Sequence, residues 1–156
     1  MRLIRGSVVS IHLAPGRGEP TTPVAKVRAV PGSGLEGDRH FGRAESDPGA
    51  PRRDREITLV EVEAIEALAR DYDIPLKPGD ARRNIVTRGV ALNHLVAREF
   101  TVGKVVLRGL GLCEPCSHLA SLTHEKVLRG LVHRGGLRAQ ILTEGVIRVG
   151  DEIRDG

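Results

Sequence analysis

The sequence predicts a mostly β chain, α+β in class. Antiparallel or mixed strands curl into a barrel-like sheet, and two or three helices are inserted. Three observations predict this. Short runs alternate apolar and polar residues with the period of a strand. Helical periodicity is confined to a few segments, and no strand–helix–strand unit repeats. The chain has 156 residues, enough for one domain over residues 1–156 that buries roughly 68–70% of its unfolded surface.

Ser7 to Leu13 alternates, with Val9, Ile11 and Leu13 on one face, and Ala14-Pro15-Gly16-Arg17-Gly18 breaks it. Val24 to Val30 alternates again through Ala25, Val27 and Ala29. A glycine-rich loop follows, Pro31 to His40, and then a polar stretch over residues 43–55 that reads as a surface loop. Thr58-Leu59-Val60-Glu61 has the form of a capping box. Val62, Ile65, Leu68 and Ala69 then recur at helical spacing, predicting a helix that ends near Asp71. Pro75, Pro78 and Gly79 mark a loop.

Arg82 to Val86 reads as a short strand, which would place Arg82 and Asn84 on one face and Arg83 on the other. Ala91 to Ala97 reads as one or two helical turns. Phe100 to Arg108 reads as a strand pair turning at Val102-Gly103-Lys104. Glu125 to His133 predicts a helix ended by Gly135-Gly136. Leu137 to Leu142 and Val146 to Val149 read as a hairpin about Glu144-Gly145, with Ile153 extending the last strand.

The core must be aliphatic, because the aromatics are Phe41, Phe100 and Tyr72 alone. Single-strand and RNA readers lean on aromatic platforms, so this composition speaks against nucleic acid as a partner. The formal net charge is +4, with 20 Arg, 4 Lys and 20 acidic residues. Arg presents a planar donor fork suited to phosphate and carboxylate. No run approaches the ~18 apolar residues of a membrane span. Met1-Arg2-Leu3-Ile4-Arg5 lacks a following apolar segment, so the chain reads as cytoplasmic with no membrane partner.

The two cysteines, Cys113 and Cys116, stand in Gly111-Leu112-Cys113-Glu114-Pro115-Cys116-Ser117-His118. Zinc would need ligands beyond this pair, from His118 or His124. A thioredoxin-like pair would open a helix in a βαβ context, which is missing here. Burial as two small hydrophobes is the plain alternative. A reactive thiolate near His118 and several arginines is the functional one, able to bind a soft metal, carry a persulfide or act as a nucleophile.

Two further clusters are candidates. Gly34-Leu35-Glu36-Gly37-Asp38-Arg39-His40 lacks the ending of a nucleotide-binding P-loop but gathers Asp38, Arg39 and His40 on a turn; a surface ion pair between Asp38 and Arg39 is the structural alternative. Arg82-Arg83-Asn84 offers guanidinium and amide donors for an anionic ligand, or simple surface charge. His133-Arg134-Gly135-Gly136 suits a helix C-terminus. His12 and His94 read as ordinary strand or surface histidines.

Taken in order, these motifs resemble the MOSC family, the module shared by molybdenum cofactor sulfurases and the amidoxime-reducing molybdoenzymes. The carriers are Gly34-x2-Gly37-Asp38-Arg39-His40, Arg82-Arg83-Asn84-Ile85, Phe100 to Val105, Cys113-Glu114-Pro115-Cys116 and Val149 to Ile153. The resemblance implies a barrel-like β fold with a cleft for the molybdenum cofactor (molybdopterin). It implies Cys116 as molybdenum ligand or persulfide carrier, and Arg39, His40, Arg82 and Asn84 as cofactor-binding residues. It further implies a sulfur donor protein or a separate electron-donor protein as partner, and N-hydroxylated compounds as a substrate class. The sequence shows neither the pyridoxal-phosphate domain of the sulfurases nor the N-terminal β domain of the amidoxime reducers, so their contacts are not expected from this chain. The competing expectation is a non-enzymatic dithiol protein, a redox sensor or metal-delivery protein using Cys113 and Cys116 together.

Overall fold

A computed structural model describes residues 5–16, 18–42, 56–113, 130–131 and 134–155. The strands are β1 (Arg5–Leu13), β2 (Thr22–Val24), β3 (Lys26–Val30), β4 (Gly34–Leu35), β5 (Ile57–Glu61), β6 (Ile85–Arg88), β7 (Glu99–Val102), β8 (Val105–Leu112), β9 (Leu137–Ile141), β10 (Gly145–Arg148) and β11 (Glu152–Asp155). Among the described residues there is one α-helix, α1 (Val62–Tyr72), and two 3-10 turns, Pro78–Ala81 and Leu92–Leu95.

The large sheet runs β11-β7-β8-β9-β5-β6-β1-β2, and β11 also pairs with β1. That last pairing closes seven strands into a mixed barrel, with β2 appended. Every pairing in it is antiparallel except β5 with β6. Closure removes the free sheet edges at which chains would otherwise pair. A small sheet, β10-β3-β4, packs its Val27, Ala29, Leu35 and Ile147 into the same core. The interior is filled, not hollow: Ile11, Ile57, Leu59, Ile85, Phe100, Leu107, Leu137 and Ile153 are almost fully buried in one cluster. Each such side chain contributes roughly 1.5–3 kcal/mol by leaving water.

Helix α1 covers part of the outer wall. Val60 and Val86 point outward between interior-facing neighbours and pack with Val62 and Ile65 of the helix. Ala64 and Leu68 pack with Ile74 and Leu131. The helix ends at Tyr72, and Asp73 follows in the left-handed region at φ 58°.

Several expectations need correction. Thr58 does not cap a helix; it lies in β5, and Glu61 at the cap makes no side-chain capping bond. The β-branched run Ile57-Thr58, followed by Leu59-Val60, finds strand partners on both sides, in β6 and β9, and that pairing overrides the local capping signal. Residues Leu137–Ile141 and Gly145–Arg148 do not form a hairpin. β9 pairs with β8 and β5, whereas β10 crosses to β3. Val9, Ile11 and Leu13 do not share one buried face either. A register shift between Val8 and Ser10 turns Val8 and Ile11 inward, and Val9 packs on the helix side. The strand at Arg82 begins only at Ile85. The loop over residues 43–55 lies outside the described residues, as does the expected helix Glu125 to His133 except for Gly130 and Leu131.

Candidate functional site

A cleft opens near the starts of β5 and β6. Its cavity volume is about 130 Å³, and it is partly open to solvent. Its lining comes from three parts of the chain: Ala14 with Asp38, Arg39 and His40; Thr58 with Arg82, Arg83 and Asn84; and Cys113 with Arg138. Arg39, His40, Arg82 and Asn84, the residues expected to bind the cofactor, thus line one hollow together with Cys113. Cys116 lies outside the described residues, as do His118, His124 and His133.

The strand register explains the gathering. Leu59 of β5 is level with Ile85 of β6, so Thr58 and Asn84 are neighbours at the end of that parallel pair. Arg138 of β9 is the cross-strand partner of Thr58. Leu137 and Ala139 face the interior, so Arg138 between them faces out.

Asn84 ties β1, β5 and the Asp38 loop together. Its Nδ2 donates to the carbonyl of His12 at 3.1 Å and to Asp38 Oδ1 at 3.4 Å. Its Oδ1 accepts from the Thr58 amide at 3.1 Å and the Thr58 hydroxyl at 3.2 Å. The Asn84 amide donates to Thr58 Oγ1, and its carbonyl accepts from the His12 amide. Asp38 is buried rather than solvated. Its carboxylate accepts from the amides of Ala14 at 2.9 Å and His40 at 3.3 Å, which fixes the loop carrying Arg39 and His40. The Arg39 amide donates to the Ala14 carbonyl at 2.8 Å, anchoring the loop to the end of β1.

Arg82 and Arg83 diverge, though not as opposite faces of a strand. Arg82 follows the 3-10 turn Pro78–Ala81 in the left-handed region, φ 60°, and reaches the carbonyl of Glu19. Arg83 turns the other way. Its Nε donates to the Gly135 carbonyl at 2.7 Å, and its Nη2 lies 3.5 Å from the Cys113 carbonyl. The Cys113 amide in turn donates to the Gly136 carbonyl at 2.7 Å. Gly136 must be glycine: its φ is +124°, and a Cβ would lie 2.2 Å from the Leu59 carbonyl oxygen.

Two acid–base shifts border this region. Burial lowers the pKa of His12, partly opposed by the charge of Asp80; its Nε2 sits 2.8 Å from Ser10 Oγ. Burial raises the pKa of Glu61, opposed by the Leu92 amide that it accepts.

Sequence reasoning missed Arg138 and Thr58. The signal for Arg138 was the alternation of Leu137, Ala139 and Ile141, which puts a charged residue on the outer wall. No group of three His, Cys, Asp or Glu side chains able to hold a metal occurs among the described residues. Among them, no helix is long and apolar enough to cross a membrane.

Fold and site define a class: small mixed-barrel proteins with an arginine-lined, cysteine-bearing cleft on the outer wall. The chain belongs to the MOSC family, whose domain model matches residues 36–154 and so spans every described arginine of the cleft. That family is associated with molybdenum cofactor binding. Among solved structures the fold is similar to the YuaD protein from Bacillus subtilis, with TM-score 0.80 and 20% identity over 98% of this chain and 96% of that one. It is also similar to YiiM from Geobacillus stearothermophilus, with TM-score 0.73 and 18% identity over 97% of this chain and 75% of that one. YiiM from Escherichia coli aligns with TM-score 0.66 and 16% identity, over 100% of this chain and 70% of that one. No curated protein sequence matches this one.

Proposed function

We propose that the cleft binds the molybdenum cofactor, with the anionic tail held by Arg39, His40 and Arg82 and a cysteine sulfur at the opposite side. One observation carries this reading. Arg39 with His40, Arg82 with Asn84, Arg138 and Cys113 come from separate segments yet line the same cleft. The donor set fits the group. A phosphate monoester carries about −1.5 to −2 charges at pH 7, and guanidinium forks pair with it bidentately. Thiolate is the protein ligand suited to a soft metal. Among the described lining residues, four guanidinium groups stand against the one carboxylate of Asp38, which leaves that lining strongly cationic.

In this reading Cys116 ligates molybdenum or carries a persulfide. Asn84, engaged with Thr58, His12 and Asp38, holds the donors in place. When bound, the cofactor would supply reduction at molybdenum, with an N-hydroxylated compound as substrate class and electrons from a separate protein. In the sulfur-carrier form of the same reading, the partner is a sulfur donor protein.

The test is metal and pterin analysis of protein purified from a host that makes the cofactor. Molybdenum and pterin should co-purify in equal amounts, and Cys116→Ala should abolish molybdenum retention or the persulfide. Bound metal and sulfane sulfur that survive Cys116→Ala unaltered would remove Cys116 from the site. The dithiol reading is favoured by one fact, that Cys113 also lines the cleft. It predicts a quantitative internal disulfide after mild oxidation and equal dependence on both cysteines. A persulfide on Cys116 alone excludes it.

A further inference from the structure

The guanidinium groups of the cleft fall into two sets. The Arg82 guanidinium reaches toward the β1–β2 connection at Glu19, and Arg39 joins that side through its backbone amide, bonded to the Ala14 carbonyl. Arg83 and Arg138 belong to the cysteine side. Arg138 stands across from Gly111 of β8, two residues before Cys113. Its head lies over bare backbone: a Cβ at Gly111 would sit 3.0 Å from Nη2 of Arg138. Arg83 is held beside Cys113 by the Gly135 and Cys113 carbonyls. Thr58 is the cross-strand partner of Arg138, and its hydroxyl is committed to Asn84.

We infer that Arg138, with Arg83 beside it, forms a second anion subsite beside Cys113, which seats an oxyanion (a carboxylate, sulfonate or phosphate) of a small substrate against the sulfur. This deepens the proposed function and rests on the same cleft. The geometry suits the task. Arg offers paired N–H donors to two oxygens of one planar or tetrahedral anion. A cationic wall around a partly enclosed hollow raises the local concentration of anions there. The glycine at position 111 leaves room for the guanidinium on β8, where a Cβ would shift it by a few tenths of an ångström.

The experiment compares two alkylating reagents on the full chain carrying Cys116→Ala, so that Cys113 is the sole thiol. In both reactions the thiolate sulfur displaces iodide and forms a thioether. Iodoacetate carries a carboxylate; iodoacetamide is its neutral counterpart. The readout is the iodoacetate-to-iodoacetamide rate ratio at Cys113, followed by peptide mass spectrometry and referred to the same ratio for a short unstructured cysteine peptide. The ratio should exceed that of the peptide about tenfold, the worth of one charge-assisted contact. Arg138→Gln should return it to the peptide's value. Gly111→Ala, which leaves the charge and only nudges the guanidinium, should lower it by less than Arg138→Gln does.

Arg82→Gln separates this subsite from the phosphate side of the cleft. A preference that survives Arg82→Gln and is lost in Arg138→Gln supports a distinct subsite. Equal loss in both variants, or equal ratios in the parent protein and Arg138→Gln, overturns it. Failure of the cofactor reading shows separately, as protein without molybdenum from a competent host, which the alkylation ratio does not sense.

Discussion

Arg82 occupies the left-handed region at φ 60°, where a residue with a Cβ loses roughly 1–2 kcal/mol relative to the right-handed form. Glycine would suit that backbone better, so a guanidinium here is retained against stability. Arg82→Gly should therefore change the unfolding free energy by less than about 1 kcal/mol, relief of strain offsetting the lost bond to the Glu19 carbonyl. Molybdenum retention should fall roughly tenfold or more, by loss of a charge-assisted contact. Chemical denaturation and metal analysis on the same preparation check both; a large loss of stability would make Arg82 a structural residue. Asn84 predicts the reverse. Asn84→Ala leaves Thr58, Asp38 and the His12 carbonyl short of partners and should cost roughly 2–3 kcal/mol. His12 sets a pH dependence. Its pKa in the folded chain lies below the ordinary 6.5, so the unfolded chain takes up the proton first as pH falls. Stability should be level above about 6.5 and decline below it, by at most about 1.4 kcal/mol per pH unit. Glu61, raised above its ordinary 4.5, works oppositely: protonation of the folded form restores stability as pH approaches 4.5. Urea melts from pH 8 to 5 should show the decline in the parent protein and a flatter profile in His12→Gln.

At the scale of the element, the turn Gly135-Gly136 links the barrel to the cysteine side of the cleft. Gly136→Ala should cost roughly 2–3 kcal/mol, through positive φ and the approach to Leu59. It should also change the reactivity of Cys113, whose amide is bonded to the Gly136 carbonyl. Denaturation together with alkylation kinetics checks it; loss of stability with an unchanged thiol rate would confine Gly136 to the barrel. What the sequence revealed also divides by element. The pair β7 and β8, the apolar face of α1 and the barrel-like class were legible because their patterns are local and period-matched. β5 was not, because Thr58-Leu59-Val60-Glu61 satisfies a capping rule and a strand rule alike; the pairing with β6 and β9 that decides between them spans more than twenty residues. The partnership of β10 with β3 was hidden for the same reason. Arg39, His40, Arg82 and Asn84 stood out as dense polar motifs. Arg138 is a lone arginine in an aliphatic strand, and its importance follows only from the register that sets it beside Thr58 and Gly111.

At the scale of the molecule, barrel closure and the cleft are carried by different parts of the wall. β11 is the seam. Ile153 is level with Gly6 of β1 and Val102 of β7, and its side chain is fully buried. The amide of Val8 donates to the Asp151 carbonyl at 2.9 Å, and that of Gly150 to the Val8 carbonyl at 2.8 Å, locking the seam from its start. No residue of β11 lines the cleft, whose described lining comes from the ends of β1, β5, β6, β8 and β9 and from the Asp38–His40 loop after β4. A change in the seam should therefore reach the cleft only through global unfolding. Ile153→Ala opens a cavity in a filled barrel and should cost about 2–4 kcal/mol. A domain of ordinary stability, roughly 5–15 kcal/mol, survives that loss. Molybdenum retention and the iodoacetate preference of Cys113 should then stay within twofold of the parent protein at 25 °C, while the denaturation midpoint drops. Removing residues 152–156 altogether leaves β1 and β7 as facing open edges and should abolish the cooperative transition. If Ile153→Ala instead weakens the cleft in a chain that still unfolds cooperatively, the barrel acts as one mechanical unit and the division between seam and site is wrong.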